Sequence, residues 1–317
     1  MDVFTIETIL QIIVTGLIVG ANYGLMCLGL GLIFGVMRVI NFAQGEMVMI
    51  GMFFTLVCVK FFADTATVPY YWILGCAAVG MVIFFLFGAG LQASLLARVS
   101  GDKVSDREDA GHSPQLILTL GISLVLQNIA LMIFGSTPNS VRTSLSIKSW
   151  EIGPLWGEDI YLFLNQAQVI SAVIAILLAL ALAVLMKHSM TGRNLRAAAN
   201  NPTAANYVGI NVAKQHKIAF GIGVALTAAA GVMMSAYQPF HPYTGHDFVV
   251  LMYAGVVLGG MGSIAGAFWG GLILGLVQQI STLFMPIQLQ TTAIFVVFLA
   301  VLLFRPQGLF GKNVERA

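Results

Sequence analysis

Residues 189–217, SMTGRNLRAAANNPTAANYVGINVAKQHK, form a polar and basic stretch between two long runs that contain no charged residue. The runs extend from Ile160 to Met186 and from Ile218 to His246. Each is long enough to cross a bilayer, which takes about 20 apolar residues. The stretch therefore predicts a loop between two membrane spans. Together with Lys187 and His188 it is called the basic segment below.

Apolar runs alternate with shorter polar stretches over the whole chain. Hydrophobic residues make up 58% of it and charged residues 9%, whereas soluble domains carry roughly 25% charged residues. We predict an all-α polytopic membrane protein, a single transmembrane domain over residues 1–317 with about eight or nine segments. The predicted segments are 9–36, 44–62, 70–97, 114–134, 167–186, 217–237, 248–261, 264–284 and 287–304.

The positions of Lys and Arg orient these segments, because cytoplasmic loops carry an excess of basic residues. An amino terminus outside leaves three of the 15 basic residues, Lys60, Arg142 and Lys148, on the outer side. The residues then assigned to the cytoplasmic side are Arg38, Arg98, Lys103, Arg107, Lys187, Arg193, Arg196, Lys214, Lys217, Arg305, Lys312 and Arg316. The sequence thus predicts that the carboxyl terminus and the basic segment are cytoplasmic.

A short helix is predicted within the basic segment. Asn201 is a favourable N-cap, Pro202 suits the first helical position and Gly209 suits the stop. Residues of the basic segment itself would therefore define both ends of this helix.

One face of this short helix is apolar, because Ala204, Tyr207 and Val208 fall at positions i, i+3 and i+4. A compact amphipathic helix in a basic loop is typical of a segment that docks in a groove on a soluble partner. The alternative is a solvated loop that only enforces orientation.

Two segments have unusual lengths. A straight helix through residues 8–37 would measure about 45 Å, against a hydrocarbon core of about 30 Å. Segment 248–261 is too short and contains Gly259 and Gly260, with Gly262 just beyond. An over-long and a glycine-broken segment in the two halves of a chain are typical of discontinuous helices that line a translocation route.

The glycine-rich regions 16–35 and 255–275 are weakly alike, which gives the hypothesis of an internal two-fold repeat. The alternative role for these glycines is close helix packing.

The residues RVINFAQGE, 38–46, join the first two segments and are called the polar break below. Arg38 and Glu46 have the charges that a helix C-terminus and N-terminus prefer, so local capping explains both. The other interpretation is that an ionisable residue at a membrane-embedded break marks a pathway or gate. The pathway or gate residues that we predict are Asn22, Asn41, Gln44, Glu46, Gly259, Gly260 and Gly262.

Several motifs are missing from the sequence. It contains no phosphate-binding loop, nucleophile motif, zinc motif or dinucleotide fingerprint. We therefore predict a protein that is not an enzyme, with no metal, cofactor or nucleic-acid partner. The segments also nearly lack Asp and Glu, which ion-coupled carriers usually show. This favours transport driven by a separate ATPase over an ion-coupled secondary transporter, and a membrane scaffold or receptor component without transport is the third alternative.

Several motifs recur in order along nearly the whole chain: NYGL (22–25), GLIFG (31–35), VINFAQGEM (39–47), GR (192–193), RAAA (196–199), ANYVGINV (205–212), VLGGMGSI (257–264), GGLILG (270–275) and RPQGL (305–309). On these motifs the chain resembles the integral permeases of high-affinity branched-chain amino acid ABC transporters, of the LivH type. It departs from the family at Gln44, where His is usual, and at Asn200-Asn201, where an acidic pair is common.

The resemblance implies a permease of the bacterial inner membrane that forms a heterodimer with a second, related permease. Two cytoplasmic ATPase subunits, which hold ATP and Mg²⁺, and a periplasmic binding protein complete the complex. The basic segment becomes the coupling loop, and the cargo is a branched-chain or other apolar amino acid, with urea, short amides or aromatic acids as alternatives. The coupling residues that we predict are Arg193, Arg196, Ala199, Asn201, Pro202, Ala204, Tyr207, Val208 and Gly209.

Overall fold

The computed structural model of the chain describes residues 6–62, 68–97, 113–154, 161–286, 289–305 and 307–311. Within them the helices are α1 (Ile6–Met37), α2 (Gln44–Phe62), α3 (Tyr70–Leu91), α4 (Ser113–Phe134), α5 (Gln166–His188), α6 (Met190–Asn200), α7 (Pro202–Tyr207), α8 (Val212–Met234), α9 (Thr244–Gly259), α10 (Ile264–Ser281) and α11 (Gln290–Phe304). A π-helical turn, Gln92–Leu96, extends α3. Two short strands, β1 (Ser149–Ile152) and β2 (Leu162–Asn165), pair as an antiparallel hairpin.

Each predicted membrane segment coincides with one of these helices. In the described part of the chain, seven helices are long and apolar enough to cross a membrane, namely α1 to α5, α8 and α10, while α9 and α11 are apolar but shorter. The all-α polytopic class is confirmed. The over-long first segment is one uninterrupted helix, Ile6–Met37. Of the basic residues used for orientation, Arg98, Lys103, Arg107, Lys312 and Arg316 lie outside the described residues.

Two elements were not predicted. The basic segment contains a second helix, α6, in front of the short one, and the connection between α4 and α5 contains the β1–β2 hairpin. Gln11 of α1 fixes this hairpin, because its Nε2 donates to the Phe163 carbonyl at 2.7 Å and its Oε1 accepts from the Phe163 amide at 3.0 Å. Strands of four residues are too short to show an alternating pattern, which is why the sequence did not reveal them.

Glycines bring α1 and α10 into close antiparallel contact. A Cβ added at Gly20 would lie 2.5 Å from the Leu272 carbonyl oxygen, and one at Gly24 would lie 2.8 Å from the Phe268 ring. From α10, a Cβ at Gly271 would in turn lie 2.6 Å from Gly24. The packing interpretation of these glycines is therefore confirmed, since any larger side chain would push the two backbones apart.

The helix contacts have the symmetry of an internal repeat. Helix α1 packs along α10 as α3 packs along α8, and the pairs α1–α8 and α2–α9 also pack together. A two-fold axis that exchanges α1, α2 and α3 with α8, α9 and α10 converts the α1–α10 contact into the α8–α3 contact. The same axis converts the α1–α8 and α2–α9 contacts into themselves. Gly29 lies against Thr227, and Gly223 lies against Ile33, so α1 and α8 run antiparallel. The two halves of the repeat therefore run in opposite directions, as in inverted-repeat transporters.

The helices α1 and α8 form the centre of the bundle. In their most apolar windows, 78% of α1 and 83% of α8 is buried, against 11% for α4. Asn22 on α1 and Thr227 on α8 are thus enclosed by protein, while α4 presents most of its surface to its surroundings. Any functional group in the interior of the described chain has to be sought along these two helices and the breaks beside them.

Candidate functional site

The two helices of the basic segment are held by side-chain caps. Ser189 Oγ accepts from the Gly192 amide at 2.9 Å, which starts α6. Asn201 Oδ1 accepts from the Ala204 amide at 2.9 Å, which starts α7 with Pro202 in its first turn. Just beyond α7, Gly209 adopts a φ of 84° that favours glycine. The predicted start and stop of the short helix are therefore confirmed.

The basic segment packs on the rest of the chain by one side. Gly192, Leu195 and Ala198 form the buried face of α6. Ala198 also joins Ala205 and Val212 in a small apolar cluster that ties α6, α7 and α8 together. The segment is thus a folded element with a fixed position on the helix bundle.

The opposite side of the basic segment is exposed. Tyr207 is 87% exposed and Val208 is 76% exposed, and Ala204 beside them is exposed as well. Arg193 and Arg196 are exposed on α6. Of the predicted coupling residues, Asn201, Pro202 and Gly209 are also exposed, whereas Ala199 is half-buried and packs against the main core.

The polar break holds a buried hydrogen-bonded cluster. Asn41 Nδ2 donates to Gln44 Oε1 at 2.9 Å, and Gln44 Nε2 donates to Thr227 Oγ1 at 2.7 Å and to the Gly223 carbonyl at 3.2 Å. The three side chains are 0% exposed. The cluster therefore joins the turn before α2 to the middle of α8.

Glu46 lies in the first turn of α2 and is 1% exposed. Its Oε1 accepts from Ser123 Oγ of α4 at 3.0 Å. Its Oε2 contacts the position where a Cβ of Gly245 would be, in the first turn of α9. The N-terminal turns of α2 and α9 thus meet around this carboxyl group.

The break between α9 and α10 is closed by the end of the chain. Gly260 and Gly262 have φ values of 103° and 93°, which favour glycine, and they turn the chain from α9 into α10. The amides of Leu309 and Phe310 donate to the carbonyls of Leu258 and Gly259 at 2.8 and 3.1 Å. Leu309 and Phe310 therefore cap the C-terminus of α9, whose last carbonyls have no partner within the helix.

The structure distributes the predicted pathway residues over three places. Asn41, Gln44 and Glu46 lie together at the polar break, and the glycines at 259–262 lie at the second break. Asn22 is separate, because its Oδ1 accepts from Ser171 Oγ of α5 at 2.7 Å. Sequence reasoning missed Ser123 and Thr227. Their signal is a hydroxyl residue within an apolar helix, which is too common to single out a site.

A cavity of about 420 Å³ lies between α2, α3 and α4, and none of the predicted pathway residues lines it. Its lining is apolar throughout and includes Phe53, Phe84 and Phe134. Such a surface suits hydrocarbon better than a charged cargo.

Comparisons with known proteins agree with this arrangement. The family model described as "Branched-chain amino acid transport system / permease component" matches residues 12–304. The chain belongs to this family. The permease LivH of the high-affinity branched-chain amino acid transport system of Escherichia coli (strain K12) is 29% identical over 310 residues, 97% of each chain.

Other relatives of this permease come from distant organisms. The permease BraD of the high-affinity branched-chain amino acid transport system of Pseudomonas aeruginosa is 29% identical over 313 residues, again 97% of each chain. A probable branched-chain amino acid transport permease of Methanocaldococcus jannaschii is 27% identical over 324 residues, 96% of this chain and 94% of its own. No solved structure matches the chain. With its helices of membrane-spanning length, the protein is a multi-pass membrane permease of the ABC transporter class.

Proposed function

We propose that this permease is the membrane subunit of an ATP-driven importer of branched-chain or other apolar amino acids. It forms the cargo path together with a second, related permease. Two ATPase subunits on the cytoplasmic side hold ATP and Mg²⁺, and a periplasmic binding protein delivers the cargo. The names of the similar proteins LivH and BraD support this cargo class. The proposal places the amino terminus outside and the basic segment in the cytoplasm.

The exposed face of α7 is the observation that carries the proposal. Tyr207 and Val208 form an apolar pair on a helix that is too short to span a membrane. Aromatic side chains of this kind are frequent anchors in protein interfaces, where they fill a pocket on the partner. Arg193 and Arg196, exposed on the preceding helix α6, suit an acidic rim on that partner. We propose that this face docks in a groove on an ATPase subunit.

The packing of the basic segment gives this docking a mechanical consequence. Helix α6 packs against α1 and α5, and α7 packs against α8. A displacement of α7 by the ATPase therefore reaches α8, which carries Thr227 and the Gly223 carbonyl of the polar cluster. Closure of the ATPase pair on ATP would move the two permeases as rigid bodies. The path between them then alternates between outward and inward access.

The substitution Tyr207→Asp tests the docking step. Loss of a central aromatic anchor is expected to weaken ATPase binding about 30-fold, and leucine uptake by proteoliposomes should fall with it. Folding should be unchanged because the side chain is 87% exposed. Binding is measured by co-purification with the ATPase subunits and uptake with radiolabelled leucine.

Two control variants accompany Tyr207→Asp. Tyr207→Phe keeps the ring, and Met190→Asp adds the same charge to an exposed position of the same segment outside α7. Both should bind and transport like the wild type. Retention of the complex and of ATP-driven uptake by Tyr207→Asp would contradict the coupling role.

The cargo is tested by competition in the same proteoliposomes. Unlabelled leucine should suppress the uptake of labelled leucine, while urea and benzoate should not. Uptake that survives ATP depletion and collapses with an ionophore would instead identify an ion-coupled secondary transporter.

A further inference from the structure

Glu46 has an unusual position for a carboxyl group. It lies within a membrane-spanning helix, is 1% exposed and has one oxygen, Oε1, bonded to Ser123. Its other oxygen, Oε2, is buried and has no hydrogen-bond donor among the described residues. Ionisable residues inside membrane proteins are costly, so they generally mark a functional path.

Local capping accounts for only part of this arrangement. A carboxylate in the first turn of α2 is favoured by the helix macrodipole, and the first turn of α9 adds a second positive end beside it. Neither effect supplies a donor for Oε2. The nearby amides of Asn41 and Gln44 are directed to each other, to Thr227 and to the Gly223 carbonyl. A purely structural carboxyl group would leave this acceptor unsatisfied, which is unfavourable in the interior.

The contact around Glu46 is closed in this structure. A Cβ at Gly45 would collide with the Gly245 carbonyl oxygen and lie 2.7 Å from Val249 Cβ. A Cβ at Gly245 would in turn collide with Glu46 Oε2. Cargo can therefore reach the carboxyl group only when the first turns of α2 and α9 move apart. The neighbouring ionisable residues of α9, His246 and Asp247, are exposed and do not share this closed contact.

We propose that Glu46 and the first turns of α2 and α9 form a binding site for a zwitterionic amino acid in transit. Glu46 Oε2 receives the ammonium group of the cargo. The N-termini of the two helices, which favour anions, receive its carboxylate. The site selects amino acids over neutral urea and over anionic aromatic acids, because neither of these carries a cation for Glu46. This inference rests on the proposed function and names the residues that hold the charged groups of the cargo.

The substitution Glu46→Gln tests the site in the full transporter, reconstituted with its ATPase subunits, partner permease and binding protein. Gln keeps the shape of Glu and an acceptor for Ser123 Oγ. Loss of one member of a buried charge pair predicts a fall of about 100-fold in leucine uptake. ATP hydrolysis should still be stimulated by the leucine-loaded binding protein, because assembly and docking are intact. A purely capping role predicts near-normal uptake instead.

Asn128→Ala is the matched control. It removes a side-chain hydrogen bond within the same helix α4, from Asn128 Nδ2 to the Leu124 carbonyl at 2.7 Å, and leaves Glu46 and Ser123 in place, so uptake should remain within about threefold of the wild type. Uptake by Glu46→Gln that also stays within about threefold of the wild type would overturn the proposed site.

A chemical measurement on the wild-type transporter covers the case in which Glu46→Gln does not assemble. Dicyclohexylcarbodiimide modifies buried carboxyl groups, and mass spectrometry quantifies the adduct on Glu46. Leucine supplied during turnover should lower this labelling, because the ammonium group covers Oε2. Equal labelling with leucine-loaded and with empty binding protein would overturn the site.

The two proposals fail in different ways. If the wild-type transporter shows no ATP-driven leucine uptake, the proposed function is wrong, and the site for this cargo is wrong with it. If the wild type transports leucine and either Glu46 experiment shows no effect, only the site is wrong.

Discussion

The polar break between α1 and α2 and the basic segment use their polar residues in opposite ways. In the break, Asn41 and Gln44 are fully buried, and Gln44 bonds to Thr227, which is far away in the sequence. In the basic segment, Asn201 bonds to the backbone three residues on, and the large side chain of Tyr207 remains exposed. The amide side chains of the first region find their partners within the chain. The second presents a face that a partner can complete.

The largest effect is expected for a side chain placed where the first turns of α2 and α9 meet. Gly45→Leu would force α2 and α9 apart, because even a Cβ at this position collides with the Gly245 backbone. Overpacking of a closed core contact costs about 1–3 kcal/mol or more, and here the obstacle is backbone. We expect little folded permease. The measurement is the monodisperse fraction in size-exclusion chromatography of the detergent extract.

Gly121→Leu provides the control for that substitution. Gly121 is an exposed residue of α4, and a Cβ there has no neighbour within 4 Å. The variant should fold like the wild type. Equal yields of folded protein from Gly45→Leu and Gly121→Leu would show that the meeting of α2 and α9 is not a fixed contact.

The second-largest effect is expected when hydrogen bonds of the polar break are lost. Gln44→Leu removes the donor to Thr227 and to the Gly223 carbonyl, and it leaves Asn41 Nδ2 without its acceptor. Unsatisfied buried polar groups cost about 1–3 kcal/mol, so the free energy of unfolding should fall by about 2 kcal/mol. The unfolding transition in detergent, followed by circular dichroism, measures it.

Gln44→His is the informative counterpart, because it replaces one polar side chain with another. An imidazole retains a donor that can reach Thr227, so the loss of stability should be well below that of Gln44→Leu. If the two variants are equally destabilised, the hydrogen bonds of Gln44 are not what stabilises the break.

These two regions also show why the sequence predicted one better than the other. The caps and the apolar face of α7 depend on residues within a window of nine, so Asn201, Pro202 and Gly209 could be assigned directly. All nine membrane segments were equally accessible, since runs without charge define them. The helix α6 was missed because its buried face consists of Gly192, Leu195 and Ala198, of which one is a strongly apolar residue.

The polar break could be predicted only as a location. Its charged and amide residues stand out between two apolar runs, but their partners do not. Thr227 and Ser123 lie 183 and 77 residues away from the groups that they contact. No local pattern connects positions at such distances, because the contacts arise only when α2 packs against α4 and α8 in the folded bundle. The separation of Asn22 from this cluster has the same origin, since its partner Ser171 is 149 residues away.

The smallest effect is expected in the basic segment, and it should be local. Asn201→Ala removes the side-chain acceptor at the start of α7, which costs about 1 kcal/mol of helix stability. A helix of six residues is marginal without its cap, so residues 203–208 should exchange their amide hydrogens about fivefold faster. ATP-driven uptake should fall by less than this factor, because the docking face is still formed most of the time. The unfolding transition of the spans should not move, in contrast to Gln44→Leu, since no buried side chain is lost.

Asn201→Ser keeps a side-chain acceptor for the cap and adds no charge, so its exchange and uptake should match the wild type. A change in the global transition of Asn201→Ala, with no change in local exchange, would mean that α7 is stabilised by the bundle and not by its own sequence. The exposed face would then depend on packing against α8, as the polar break depends on packing within the bundle. The contrast between the polar break and the basic segment would disappear.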